Sequence, residues 1–249
     1  MNRSPGPLPG IYGKLPSNGD FVSRRLPTTF VEPWDRWLQE SIADSRDQLG
    51  ERWLEIYLTS PVWRFVLAPG TAGQSAWAGL LMPSVDQVGR YFPLTLACPL
   101  PVAVNPLDTL TGAAAWYESA ETLLLSCLDQ DLTLAVFDQQ VTALGPPSSL
   151  PPSNAPGPGK AVARRMPLPA DLAAICPCLL HQALGELFFA YSLWWSDGSE
   201  VIEPSVLLCQ GLPPSAGFAG MLAGGWDRWG WEQTPPGPVG AVPQGPRGS

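Results

Sequence analysis

Charge is scarce in this chain and unevenly placed. Only 14% of its 249 residues are charged. Yet Gly10–Pro27 carries Lys14, Asp20, Arg24 and Arg25, and Pro83–Leu96 carries Asp86 and Arg90. Each of these charges sits among apolar and turn-forming neighbours. A charge in such a setting needs a partner, within the protein or on another molecule. Whatever the chain folds into must therefore neutralise these groups or present them.

The patterning between these segments sets the fold class. Ile11-Tyr12 and Phe21-Val22 read as short strands around a turn at Ser17-Asn18-Gly19-Asp20, since Asn-Gly is a hairpin signal. Phe30, Trp34, Trp37, Leu38, Ile42 and Leu49 recur at helical spacing. Two starts compete for that helix: a capping box of Thr29 and Glu32, or Pro33 as the first helical residue. Glu51–Leu58 suits a short helix or a strand. Val62–Leu67, Ser75–Met82 and Phe92–Cys98 read as strands, the first with Trp63, Phe65 and Leu67 on one face and Arg64 on the other. One long helix is expected over Asp108–Cys127, capped by Asp108 or Thr109, and a second over Asp131–Leu144. A helix over Ala170–Phe188, a hairpin from Ala190–Trp195 to Val206–Cys209, and a short helix at Ala216–Leu222 complete the series. This order predicts a mixed α+β protein and lacks the strict βαβ alternation of a doubly wound parallel sheet. Residues 1–9 are expected to be loose and 10–232 to form one domain. Within it, 145–159 is a Pro-rich loop, and 233–249 is expected to be a disordered tail.

Composition excludes several functions. A net charge of −8 and a pI of about 4.6 disfavour nucleic acid and anionic membrane surfaces, which need a basic footprint. No apolar run is long enough for a membrane span or a signal peptide, so no direct membrane insertion and a cytoplasmic location are expected. Five widely spaced cysteines, with Cys176 and Cys178 as Cys-x-Cys, read as free thiols and not as a redox or zinc motif.

Catalytic groups are few. His181 is the sole histidine and lies in an apolar helical pattern. No Gly-x-Ser-x-Gly elbow and no Gly-rich phosphate loop appear. Asp20 and Asp86 form an acidic pair if their loops meet. Alternatively, Asp86 neutralises Arg90 locally and Asp20 neutralises Arg24 or Arg25. In a third reading the arginines point outward as anchors beside Trp34, Trp37 or Trp63, because Arg and Trp often carry binding energy.

At these residues the sequence resembles the TagF (ImpM) proteins associated with type VI secretion. The resemblance rests on Gly13-Lys-Leu-Pro-Ser-Asn-Gly-Asp-Phe-Val22 with Arg24-Arg25-Leu26-Pro27, on Trp34-Asp-Arg-Trp-Leu38, and on Ser60-Pro-Val-Trp-Arg-Phe65. It continues through Gly79–Thr95 and returns weakly in Ser192–Trp195 and Gly211–Pro213. Asn18 stands where the family usually carries His. The resemblance implies a compact α/β domain with a mostly antiparallel sheet, similar to longin or profilin domains. It also implies a bacterial cytoplasmic, non-enzymatic, post-translational repressor with no cofactor, which acts by binding the forkhead-associated scaffold protein of that system. On this reading Lys14, Asp20, Arg24, Arg25, Trp34, Trp37, Asp86 and Arg90 are the partner-binding candidates. The competing readings are an enzyme built on Asp20 and Asp86, and a structural accessory protein of the apparatus.

Overall fold

The structure, a computed structural model, describes residues 7–102, 104–129, 131–147 and 175–233. Residues 1–6 of the expected loose N-terminus, 148–159 of the Pro-rich loop, 170–174 of the expected helix and 234–249 of the expected tail lie outside them.

The apolar runs become the middle of a seven-stranded antiparallel sheet of order β2-β1-β5-β4-β3-β6-β7. Its strands are β1 (Gly10–Gly13), β2 (Val22–Arg24), β3 (Trp63–Leu67), β4 (Trp77–Met82), β5 (Leu94–Pro99), β6 (Tyr191–Ser196) and β7 (Ser205–Gln210). The strand period of two divides each strand between opposite faces. Trp63, Phe65 and Leu67 face one layer, while Val66 faces the other. The first layer is aromatic and packs α1 (Thr28–Leu49), α2 (Trp53–Thr59) and α7 (Phe218–Ala223) against the sheet. The second is largely aliphatic and follows the short α3 (Thr109–Gly112) with α4 (Ala114–Ser126), α5 (Leu134–Leu144) and α6 (Cys176–Leu187). The mixed α+β class is therefore found, with its sheet entirely antiparallel among the described strands.

Several boundaries differ from the expected ones. Helix α1 follows neither proposed start: it begins at Thr28, with Pro33 inside it and no side-chain cap. Pro33 is the sixth helical residue, past the first turn, so the helix forfeits the bond that its N–H would have made to Thr29 O. The gain is that Phe30 and Trp34 are both fully buried. The expected helix from Asp108 is broken at Ala113, whose φ of −120° and ψ of 18° leave the helical region. Its first turn is capped by Asn105, whose side chain accepts from Leu107 N, while the Thr109 hydroxyl turns back to Pro106 O. Helix α5 starts three residues later than expected, at the Thr133 cap. The β1–β2 connection spans Lys14–Phe21 and is no tight two-residue turn, because Lys14 and Leu15 are drawn into the interior.

Candidate partner-binding site

The two charge-bearing segments meet. Strand β1 ends at Gly13, where φ is +131° and an added Cβ would stand 2.0 Å from Pro93 O. Only glycine permits that close approach of the two backbones. The next side chain, Lys14, is thereby aimed beneath the loop 83–93. Its ammonium donates to Asp86 Oδ2 at 2.5 Å, and both side chains are buried. The Ser84 hydroxyl donates to Lys14 O at 2.8 Å. Tyr57, deep under the loop, donates its hydroxyl to Ser84 O and accepts from Ser84 N, each at 3.0 Å.

Asp86 organises its own loop as well. Its Oδ1 accepts from Val88 N at 3.1 Å and Arg90 N at 2.8 Å, and its Oδ2 also accepts from Arg90 Nε at 2.7 Å. Gly89 closes the turn with φ +83°. Burial by itself raises the Asp86 carboxyl. The Lys14 ammonium and the Arg90 backbone N–H and guanidinium outweigh that and hold it well below the usual carboxylate range. The two loops are tied again where Gln87 N donates to Asn18 O and Arg90 Nη2 donates to Gly19 O. Lys14 also lies 4.5 Å from the centre of the Phe21 ring, which meets Phe92 edge-on.

The sequence candidates thus separate. Lys14 and Asp86 are interior. Trp34 and Trp37 are interior too: their indole N–H groups donate to Thr95 Oγ1 and Pro213 O, and Trp34 stacks against Trp194. As surface anchors they are out of reach, and Trp63 is equally buried. Arg25 takes a left-handed φ of 59°, donates to Pro9 O and lies 2.7 Å from Asp138 Oδ1 on α5. The latter contact is close without being a well-aligned hydrogen bond. The expected pairing of Asp20 with Arg24 or Arg25 is absent among the described residues: Arg25 goes to Asp138, and exposed Arg24 bonds only the carbonyl of Ser23. The expected Asp86–Arg90 pair is present, with the Arg90 side chain still 58% exposed. Beside these groups stand two apolar side chains that the charge pattern did not single out, Phe21 at 50% and Val88 at 67% exposure. Phe21 precedes a buried strand residue, Val22, so strand alternation marks it as outward-facing.

Elsewhere, His181 Nδ1 and the Tyr191 hydroxyl share a 2.6 Å hydrogen bond, and burial lowers the imidazole pKa. All five cysteines are free, and burial pushes the Cys98, Cys127 and Cys209 thiols up to about 12. Among the described residues no three His, Cys, Asp or Glu side chains gather as a metal site, and no helix is long and apolar enough to cross a membrane.

Comparison with known proteins places this arrangement. The family model of the TagF N-terminal domain, type VI secretion system-associated, matches residues 10–144, which contain both interlocked segments. The crystal structure of PA0076 from Pseudomonas aeruginosa PAO1 is 42% identical in sequence, with a TM-score of 0.76. The match covers 87% of this chain and 94% of that one. No curated protein matches. The chain belongs to the TagF family of type VI secretion-associated proteins.

Proposed function

We propose that this protein is a non-enzymatic, post-translational repressor of type VI secretion that works in the bacterial cytoplasm by binding the forkhead-associated scaffold protein. The observation that carries the reading is the outer side, or rim, of the interlocked segments, where Phe21, Val88 and Arg90 are exposed around a buried ion pair and Arg24 is exposed three residues along the chain from Phe21. Arg and aromatic groups on rigid supports are the usual anchors of a protein interface, since little side-chain order is lost on binding. The saturation of Asp86 supports binding over catalysis. Four donors of the chain already occupy its two oxygens, which leaves it fixed as an anion. In an acidic pair with Asp20, Asp86 itself would have to take up or share a proton, and these four donors already fill its acceptor sites.

The test is capture of the purified scaffold protein on immobilised wild type, Arg24→Glu and Val88→Asp. Wild-type capture with at least tenfold weaker binding by both variants, at unchanged thermal midpoints, is the expected result. Full binding by both folded variants rejects this rim as the contact surface. Failure of the wild type to bind the scaffold rejects the proposed partner.

A further inference from the structure

Among the described residues the sheet has two edges, and only one is protected. Strand β2 is three residues long, bears exposed Arg24, and is ended by the left-handed Arg25. Short length and charge are the usual ways of blocking further strand addition. Strand β7 has neither. It pairs with β6 through six consecutive residues without a bulge, and its sequence, Ser205-Val-Leu-Leu-Cys-Gln210, holds no charge and no proline. Its other side has no strand neighbour among the described residues. Val206 and Leu208 are exposed at 69% and 46%.

Along that open side runs a groove of about 650 Å³. Its floor is β7 itself, and its far wall is Pro214 with the segment from Trp226 to Gln233. The wall is fixed in place. Trp231 donates its indole N–H to Gly217 O at 2.8 Å and meets Trp226 edge-on, and Gly217 and Gly220 leave room for its ring. Among the described residues, Glu232 is the one charged side chain lining the groove.

We infer that β7 is a docking strand, and that its occupant is an extended, basic segment of a partner protein added as an eighth strand. Main-chain pairing to an exposed edge supplies affinity, and the tryptophan wall contacts alternate side chains. Six strand residues span about 20 Å, so the site takes a segment of about six residues. Charge selects the occupant. A second copy would bring another net charge of −8 and its own Glu232, whereas a basic segment is attracted. This inference is independent of the scaffold-binding rim at the other end of the sheet.

The experiment is amide hydrogen exchange of residues 205–210 in the full chain. The probes are the synthetic peptide acetyl-Lys-Val-Thr-Val-Thr-Lys-amide and its analogue with Glu at both ends. The basic peptide is expected to slow the outward-facing β7 amides at least tenfold, and the acidic one to leave them unchanged. Leu208→Lys, at an exposed position, is expected to abolish that protection, and Glu232→Lys to weaken it at least fivefold, with thermal midpoints unchanged. Equal protection by both peptides, or none by the basic one, overturns the inference. So does protection without peptide: in a dimer it assigns the edge to a second copy, and in a monomer to the protein's own chain.

Discussion

The inner and outer halves of the two interlocked segments use the same kinds of side chain for opposite ends. Inside, Lys14 and Asp86 are buried and fully paired, joining loops that are 72 residues apart in the chain. Outside, among the described residues, Arg24 bonds only its neighbour's carbonyl, and Phe21 and Val88 are exposed. A charge in a family motif is therefore no indication by itself of a contact surface. Some of the motif holds the platform and some of it stands on the platform.

The sharpest way to break that contrast is at its buried centre. Asp86→Asn replaces an acceptor with a donor facing the Lys14 ammonium and leaves that cation buried without a counter-charge. Removing one partner of a buried pair costs about 3–5 kcal/mol, and urea denaturation at neutral pH should read a loss of that size. The pH dependence identifies the cause. In the unfolded chain Asp86 protonates near pH 3.9, and in the folded protein at lower pH. Its stabilisation is complete above the unfolded value and is lost as pH falls from about 4 through the folded value. The gap between wild type and variant should narrow over that window. A gap that stays constant to about pH 2 would mean that the loop, and not the ion pair, was damaged.

A smaller effect belongs to the layer beneath. Tyr57→Phe keeps the ring stacked on Trp53 but strips Ser84 N and Ser84 O of their common partner. Leaving buried polar groups unsatisfied costs about 1–3 kcal/mol. Denaturation should show that loss while scaffold binding by the folded fraction is unchanged. A binding defect larger than the stability loss would place the loop's position, and not the rim alone, in the contact.

How far the sequence revealed this depends on the range of each interaction. Strands β3, β4 and β5 were legible because apolar runs between turn residues are local signals, and the facing of Trp63, Phe65 and Leu67 followed from the strand period alone. The Asp86–Arg90 pair was legible because its residues are four apart. The partner of Lys14 was not, since nothing local says which distant carboxylate a buried ammonium will reach. Arg25 was misread for the same reason: its counter-ion, Asp138, lies on α5. The tryptophans were ambiguous in principle, because a large aromatic serves a core and an interface equally well. The break at Ala113 and the Thr28 start of α1 depart from the local capping signals, which are weak preferences that tertiary context routinely overrides.

The smallest expected stability effect tests the outer half. Arg24 is exposed, and among the described residues its side chain bonds only the carbonyl of Ser23. Substitution at such a surface position usually changes stability by less than about 0.5 kcal/mol. Arg24→Glu should therefore leave the urea midpoint almost where it was, while reversing the charge presented at the exposed end of β2. If the rim is the docking surface, this variant shows the largest binding loss with the least stability loss, the reverse of Tyr57→Phe. Isothermal titration of both variants against the scaffold separates the halves directly. Parallel losses of binding and stability in both would show that the two halves act as one structural unit.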